Sequence, residues 1–155
     1  MLSILFICSG NTCRSPMAQA IAQSWSNKAF KTNQITVSSA GTHATPNSPI
    51  SPEALVALAR HNIPYEGKSQ LLSAELLQEQ DIIFVMTKEH LRHTQELIVQ
   101  NKIAKNHTLL TLHPEQDIQD PLGKGQQPYD KIANEFMSLI PSQLQPHLTL
   151  LTESA

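Results

Sequence analysis

Cysteine is scarce in this chain. The two it has, Cys8 and Cys13, close only a very short loop, so no disulfide framework exists. Long apolar runs are missing too. None approaches the ~20 residues that a membrane-crossing helix needs. The segment from Met1 to Cys8 is apolar but has no basic flank, and Ile7 is too large to precede a small-residue cleavage site. It fits a buried first strand in a reducing cytoplasm better than a secretory or lipoprotein signal. An excess of positive charge is also absent. With 11 Lys+Arg against 13 Asp+Glu the net charge is −2, too little basic surface for a general nucleic-acid binder. What the chain does have is apolar content. At 40% hydrophobic and 15% charged it is no disordered tail, and 155 residues suffice for one domain with one core.

No internal repeat or low-complexity linker divides residues 1–155. Leu2 to Cys8 reads as a strand buried on both faces. The polar turn Ser9-Gly10-Asn11-Thr12 follows. Ser15-Pro16 then opens a helix, with Met17, Ala20, Ile21 and Trp25 as its apolar stripe. Ile35 to Ala40 is a second strand, ended by Gly41. Thr42 to Pro52 holds three prolines and is a loop. Helices are expected over Pro52 to His61 and Ala74 to Glu79. Ile82 to Met86 is a third strand, and Thr87 caps a helix from Lys88 to Gln100. His107 to Leu112 is a fourth, weaker strand, and a last helix runs from Pro128 to about Ile140. Strands alternating with helices predict an α/β fold, a four-stranded parallel sheet with helices on both faces. Ligands of such sheets sit outside the carboxyl ends of the strands. There the turn after Cys8, the loop after Ala40 and the loop after Leu112 should meet.

The segment Cys8-Ser9-Gly10-Asn11-Thr12-Cys13-Arg14-Ser15-Pro16 leaves a buried strand and enters a helix. Such a turn can aim its N–H groups at one point, an anion nest at a helix N-terminus. Gly10 allows a positive φ, and Asn11 tolerates one. Arg14 adds a planar fork of donors that matches two phosphate oxygens. Cys8 would then lie at the bottom of a phosphate-sized bowl, in surroundings that favour its thiolate. Ser15 can donate a hydrogen bond to the sulfur.

This Cys-x5-Arg-Ser spacing, at the start of the chain, resembles the low-molecular-weight protein phosphatase family. Ser39-Ala40-Gly41-Thr42 is similar to that family's Ser-Ala-Gly-Thr, Ile82 to Met86 to its central strand, and Asp120-Pro121 to its acid loop. The order and separations agree over essentially all 155 residues. The resemblance implies that Cys8 attacks phosphorus and forms a phosphocysteine. It implies that Arg14 and the backbone of Ser9, Gly10, Asn11, Thr12, Cys13 and Arg14 hold the phosphoryl oxygens. Asp120 would protonate the leaving group and later activate water. Asn11, Ser15 and Ser39 would support the loop. Cys13 would form a disulfide with an oxidised Cys8 and so spare it from irreversible damage. No metal and no cofactor are implied, since the loop and Arg14 supply the positive potential. The expected partners are phosphorylated proteins, with no nucleic acid and no membrane, and the enzyme is expected to act as a cytoplasmic monomer. One departure stands out. Where family members often place a histidine after the second helix, this chain reads Tyr65-Glu66-Gly67-Lys68, so part of the loop-supporting network lacks its usual residue.

Each of these groups also has a blander reading. A lone cysteine at a strand end is usually a small buried hydrophobe, but Gly10, Arg14, Ser15 and Pro16 stand in register with Cys8. Zinc binding by Cys8 and Cys13 lacks the spacing and a second pair. An isolated Asp-Pro is most often a turn. His90 and His93 lie one turn apart and are expected on the surface. His61 is expected as a charge partner at a helix end. Leu55, Leu58 and Ala59, and likewise Leu91, Leu97 and Ile98, are expected in the core. Arsenate reductases share the bowl but need relay cysteines beyond Cys13. A phosphocarrier module needs neither Arg14 nor Asp120.

Two positions bear on the substrate. Tyrosine-directed members commonly carry a branched apolar residue at the position of Thr12, and the bacterial arginine-directed members carry Thr. Tyrosine-directed members also tend to have aromatics just after Asp-Pro, where this chain has Leu122, and its next aromatic is Tyr129. Both features lean toward phosphoarginine over phosphotyrosine.

Overall fold

A computed structural model of the chain describes residues 1–30 and 34–153. Four strands, β1 (Leu2–Cys8), β2 (Ile35–Gly41), β3 (Ile82–Val85) and β4 (Thr108–Thr111), alternate with five helices. These are α1 (Arg14–Phe30), α2 (Pro52–Ala59), α3 (Ala74–Gln78), α4 (Lys88–Gln100) and α5 (Gln126–Glu153). The sheet is all parallel, in the order β2-β1-β3-β4, as the alternation predicts.

The central position of β1 explains its unbroken apolar run. Ile4, Phe6 and Cys8 face one core, which Met17 and Ile21 of α1, Leu58 of α2 and Phe136 and Ile140 of α5 complete. Leu5 and Ile7 face the other, closed by Leu77 of α3 with Leu91, Leu97 and Ile98 of α4 half-buried around it. Phe6 and Phe84 pair in register, and their rings stack at 5.7 Å. Such a pair adds about 0.5–1.5 kcal/mol beyond its area. Thr87 caps α4 as expected, its hydroxyl accepting from the His90 amide.

Two expectations need correction. The last helix does not stop near Ile140 but continues to Glu153, past Pro141 and Pro146. Ile140, Leu144 and Leu148 are fully buried along that extension. Burying each is worth about 1.5–3 kcal/mol, a sum of the same size as the cost of about 3 kcal/mol for each interior proline. The α2 stripe is offset from the expected one. Ala54, Ala57 and Leu58 are buried, whereas Leu55 and Ala59 are exposed. His61 directly follows the C-cap of α2, its amide donating to the Leu58 carbonyl at 3.0 Å, and its Nε2 meets Asn134 Oδ1 of α5 at 2.8 Å.

The loops converge at the carboxyl edge of the sheet. The Thr42 amide donates to the Cys8 carbonyl at 2.9 Å, and the His43 amide to that of Ser9 at 2.9 Å. After β4 the chain folds back, and the Ile118 amide donates to the Met86 carbonyl at 2.9 Å. Two of the three segments expected to meet are thus tied directly by backbone, and the third reaches them through Met86, whose amide donates to the Ile7 carbonyl of β1 at 3.0 Å.

Candidate active site

Cys8 ends β1 and Arg14 begins α1, so residues 9–13 turn between a rigid strand and a rigid helix. Gly10 does not carry the left-handed residue of this turn. Asn11 does, at φ 56°. Its side chain makes that conformation tenable. Asn11 Oδ1 accepts from the Gln70 amide at 2.9 Å, and Nδ2 donates to Ser15 Oγ at 2.8 Å and Ser39 Oγ at 2.9 Å. The glycine that matters sterically is Gly41. A Cβ there would lie well inside contact with the Ser9 carbonyl oxygen and 2.9 Å from the Asn11 nitrogen.

Cys8 Sγ, almost fully buried, is 2.9 Å from Ser15 Oγ. Asn11 already donates to Ser15, so the Ser15 proton is free for the sulfur. Its other acceptor, the Ala40 carbonyl, is farther at 3.5 Å. Arg14 is 4% exposed, a cation held in the interior. Its Nη1 donates to the Ile118 carbonyl at 2.8 Å, and Nη2 is 3.5 Å from Ser9 Oγ and 3.8 Å from Asp120 Oδ2. Its Nε is buried with no protein partner. An unsatisfied donor on a buried cation is costly, and an anion's oxygen would relieve it.

Cys8, Gly10, Thr12, Cys13, Arg14, Asp120 and Leu122 line one cavity of about 40 Å³. Both residues expected to bear on the substrate therefore stand at the same opening as the sulfur and the carboxylate. Asp120 is half exposed at the rim. Its Oδ1 accepts from the Leu122 amide at 3.1 Å, which turns Leu122 over the cavity mouth. Leu122 is 62% exposed. Tyr129, by contrast, is fully buried below the loop. Its hydroxyl and that of Ser51 each lie 3.1 Å from Cys13 Sγ. Burial raises the Tyr129 phenol well above its ordinary value, so it stays protonated.

His90 was expected on the surface and is not there. It is 4% exposed, with Nε2 at 2.8 Å from Ser9 Oγ. Burial, then the nearby Arg14 charge, pushes its pKa down to about 4, so it is a neutral imidazole at pH 7. Its spacing on α4 gives no sign that Ser9 stands opposite. Only the pairing of β1 with β3 brings them together. His93, the other member of that pair, is half-buried with its ring 5.4 Å from that of His43. Residue order hides the role of Gln70 for the same reason. Its Nε2 donates to the Ser39 carbonyl at 2.8 Å while its amide holds Asn11. No group of three or more metal-binding side chains occurs among the described residues, and no described helix is long and apolar enough to cross a membrane.

A parallel four-stranded sheet carrying a cysteine-arginine loop at its carboxyl edge is the architecture of one class of phosphatases. The chain belongs to the low molecular weight phosphotyrosine protein phosphatase family, whose profile matches residues 3–149. It is 38% identical over 89 residues to a protein-arginine-phosphatase of Bacillus subtilis, a match covering 57% of this chain and 58% of that one. A low molecular weight protein-tyrosine-phosphatase of Staphylococcus epidermidis is 29% identical over 143 residues, covering 90% and 94%. In structure, an arginine phosphatase from Geobacillus stearothermophilus superposes with a TM-score of 0.81 at 29% identity, over 96% of each chain. The fold and family expected from the motif are therefore those found, and the family's members are hydrolases.

Proposed function

We propose that this chain hydrolyses phosphorylated protein side chains through a phosphocysteine, with phosphoarginine preferred. One observation carries the reading. Cys8 Sγ opens into a cavity that also holds the buried Arg14, whose Nε is unpaired, and Asp120 at the rim. In the first step the Cys8 thiolate attacks phosphorus and the bond to the leaving group breaks, while Asp120 gives that group a proton. Arg14 Nε and Nη2, with the loop amides, hold the equatorial oxygens as charge builds. In the second step Asp120 takes a proton from water as the water attacks phosphorus and the thiolate departs. The donor from Ser15 stabilises the sulfur at both ends of the cycle. His90 fixes Ser9 beside Arg14.

The preference for phosphoarginine rests on the cavity mouth. Thr12 and the aliphatic Leu122 line it, and the one aromatic that follows Leu122 closely, Tyr129, is buried away from it. No ring among the cavity-lining residues is placed to sandwich a phenol. The relatives named as arginine phosphatases agree with this choice, and the tyrosine-directed relative supplies the alternative. Beside the mouth a larger groove of about 820 Å³, sharing Asp120 and reaching Lys124 and Glu135, gives a peptide room to lie. The test is phosphate release from a phosphoarginine peptide and a phosphotyrosine peptide, side by side and with chelator present. A kcat/KM ~10-fold or more higher for phosphoarginine is expected, the scale of a few pocket contacts. An equal or higher value for phosphotyrosine would show that Thr12 and Leu122 do not set the substrate.

The same site supports reversible oxidation. A hydroperoxide would convert the Cys8 thiolate to a sulfenic acid, and the Cys13 thiol would then displace water to form the disulfide. The Cys13→Ser variant should therefore regain much less activity than wild type after peroxide and then thiol. Equal recovery would dismiss a protective role for Cys13.

A further inference from the structure

The hydrogen-bond chain behind Cys8 does not end at Ser39. Ser39 Oγ donates to Gln19 Oε1 at 2.6 Å, and Tyr65 Oη donates to the same oxygen at 3.1 Å. The Gln19 amide has one orientation, because its Nε2 donates to the Val37 carbonyl of β2 at 3.3 Å. Its oxygen can only accept. The Ser39 proton therefore points at Gln19, which leaves the Ser39 oxygen free to accept from Asn11. Asn11 in turn spends one Nδ2 hydrogen on Ser39 and the other on Ser15, and Ser15 is left to donate to Cys8. Every proton along the path points in a defined direction.

Tyr65 is held in place from outside. A Cβ at Gly67 would fall 2.8 Å from the Tyr65 hydroxyl oxygen, so only glycine lets the ring lie against that backbone. Partial burial raises the Tyr65 phenol above its ordinary value, which keeps it a donor. Tyr65 and Gly67 belong to the segment in which the sequence departs from its family, and Gln19 lies on α1 one turn beyond Ser15.

We propose that Gln19 and Tyr65 are positioning residues for the nucleophile. By taking the Ser39 hydroxyl proton the arm leaves the Ser39 oxygen to accept from Asn11, which fixes the Asn11 side chain, and through it the left-handed loop residue and the Ser15 donor to Cys8. The arm is made of neutral groups throughout, so its hold on the loop does not titrate near pH 7. The proposal rests on Cys8 being the nucleophile, and a measurement that needs no turnover separates the two ideas.

That measurement is the pH profile of Cys8 alkylation by iodoacetamide, taken in a Cys13→Ser background so that one thiol is read. Gln19→Leu keeps bulk and loses the acceptor. Tyr65→Phe keeps the ring against Gly67 and loses one donor. The midpoint of the profile should move up by about half a pH unit in Gln19→Leu, the size of a weakened hydrogen bond to a charged acceptor. Tyr65→Phe should move it the same way by less, and the double variant should move it by less than the sum. On a substrate with a poor leaving group, kcat should fall while KM stays. Profiles unmoved in both variants, whatever happens to Tm, would overturn the arm. A wild-type profile like that of a free small thiol would instead overturn the nucleophile itself.

Discussion

Replacing Cys8 by serine abolishes turnover. A loss of ~10⁴-fold or more in kcat is expected, on the scale seen when a covalent nucleophile is removed from an otherwise intact site. The alcohol is a far weaker acid than the thiol and forms almost no alkoxide near neutral pH. Geometry is not the reason for the loss. Serine keeps the shape at the end of β1, Ser15 still stands beside it, and Arg14 stays anchored to the Ile118 carbonyl. Inorganic phosphate should therefore still bind. Phosphate release and calorimetric phosphate binding, measured on the same preparation, give the answer. Turnover within about tenfold of wild type would remove Cys8 from the mechanism. Lost binding would show that the sulfur itself organises the bowl.

The second large effect lies outside the motif. Gly41→Ala puts a methyl group against the Ser9 carbonyl oxygen, the Asn11 nitrogen and the Ala44 side chain. Two of these neighbours are backbone of the phosphate loop, and no rotamer change can move them. Overpacking of this kind costs about 1–3 kcal/mol, a Tm loss of roughly 3–10 °C at this size. The expected loss of activity is larger than the loss of fold. The methyl group must push the loop relative to Arg14 and Asp120, and an ångström of misplacement costs ~10²-fold in rate. Assayed well below its Tm, Gly41→Ala should be folded and slow. A variant within twofold of wild type in kcat/KM would mean that the loop can move away without disturbing the site.

Much of the site could be read from residue order. Cys8, Arg14, Ser15 and Pro16 lie on one short segment whose local chemistry dictates a strand, an anion-binding turn and a helix start. Thr12 and Leu122 were placed at the opening by their positions relative to Cys8 and Asp120, and both line it. The details of the turn were less accessible. Gly10 and Asn11 can each take a positive φ, and the choice of Asn11 depends on Gln70 and Ser39, which come from other parts of the chain. His90 looked like a surface residue because helical spacing reports which side chains share a face and says nothing about what stands opposite. Tyr129, the next aromatic after Leu122 along the chain, is turned inward beneath Cys13 by its helix, which residue order does not reveal.

The sequence alone determined what is local: the alternation of strands and helices, the turn between Cys8 and Arg14, the Asp120-Pro121 turn and the capping of α4. These follow from periodicity, turn chemistry and the spacing of a few reactive groups, all properties of neighbours along the chain. The tertiary structure decided what depends on neighbours in space. It buried His90 against Ser9, set Gly41 against the backbone of the loop, carried α5 past two prolines with its apolar stripe buried, and joined Tyr65 and Gln19 to Ser39. Burial and hydrogen-bond direction are set by whatever packs across the sheet edge, and residues far apart in the chain meet there only once the sheet has formed.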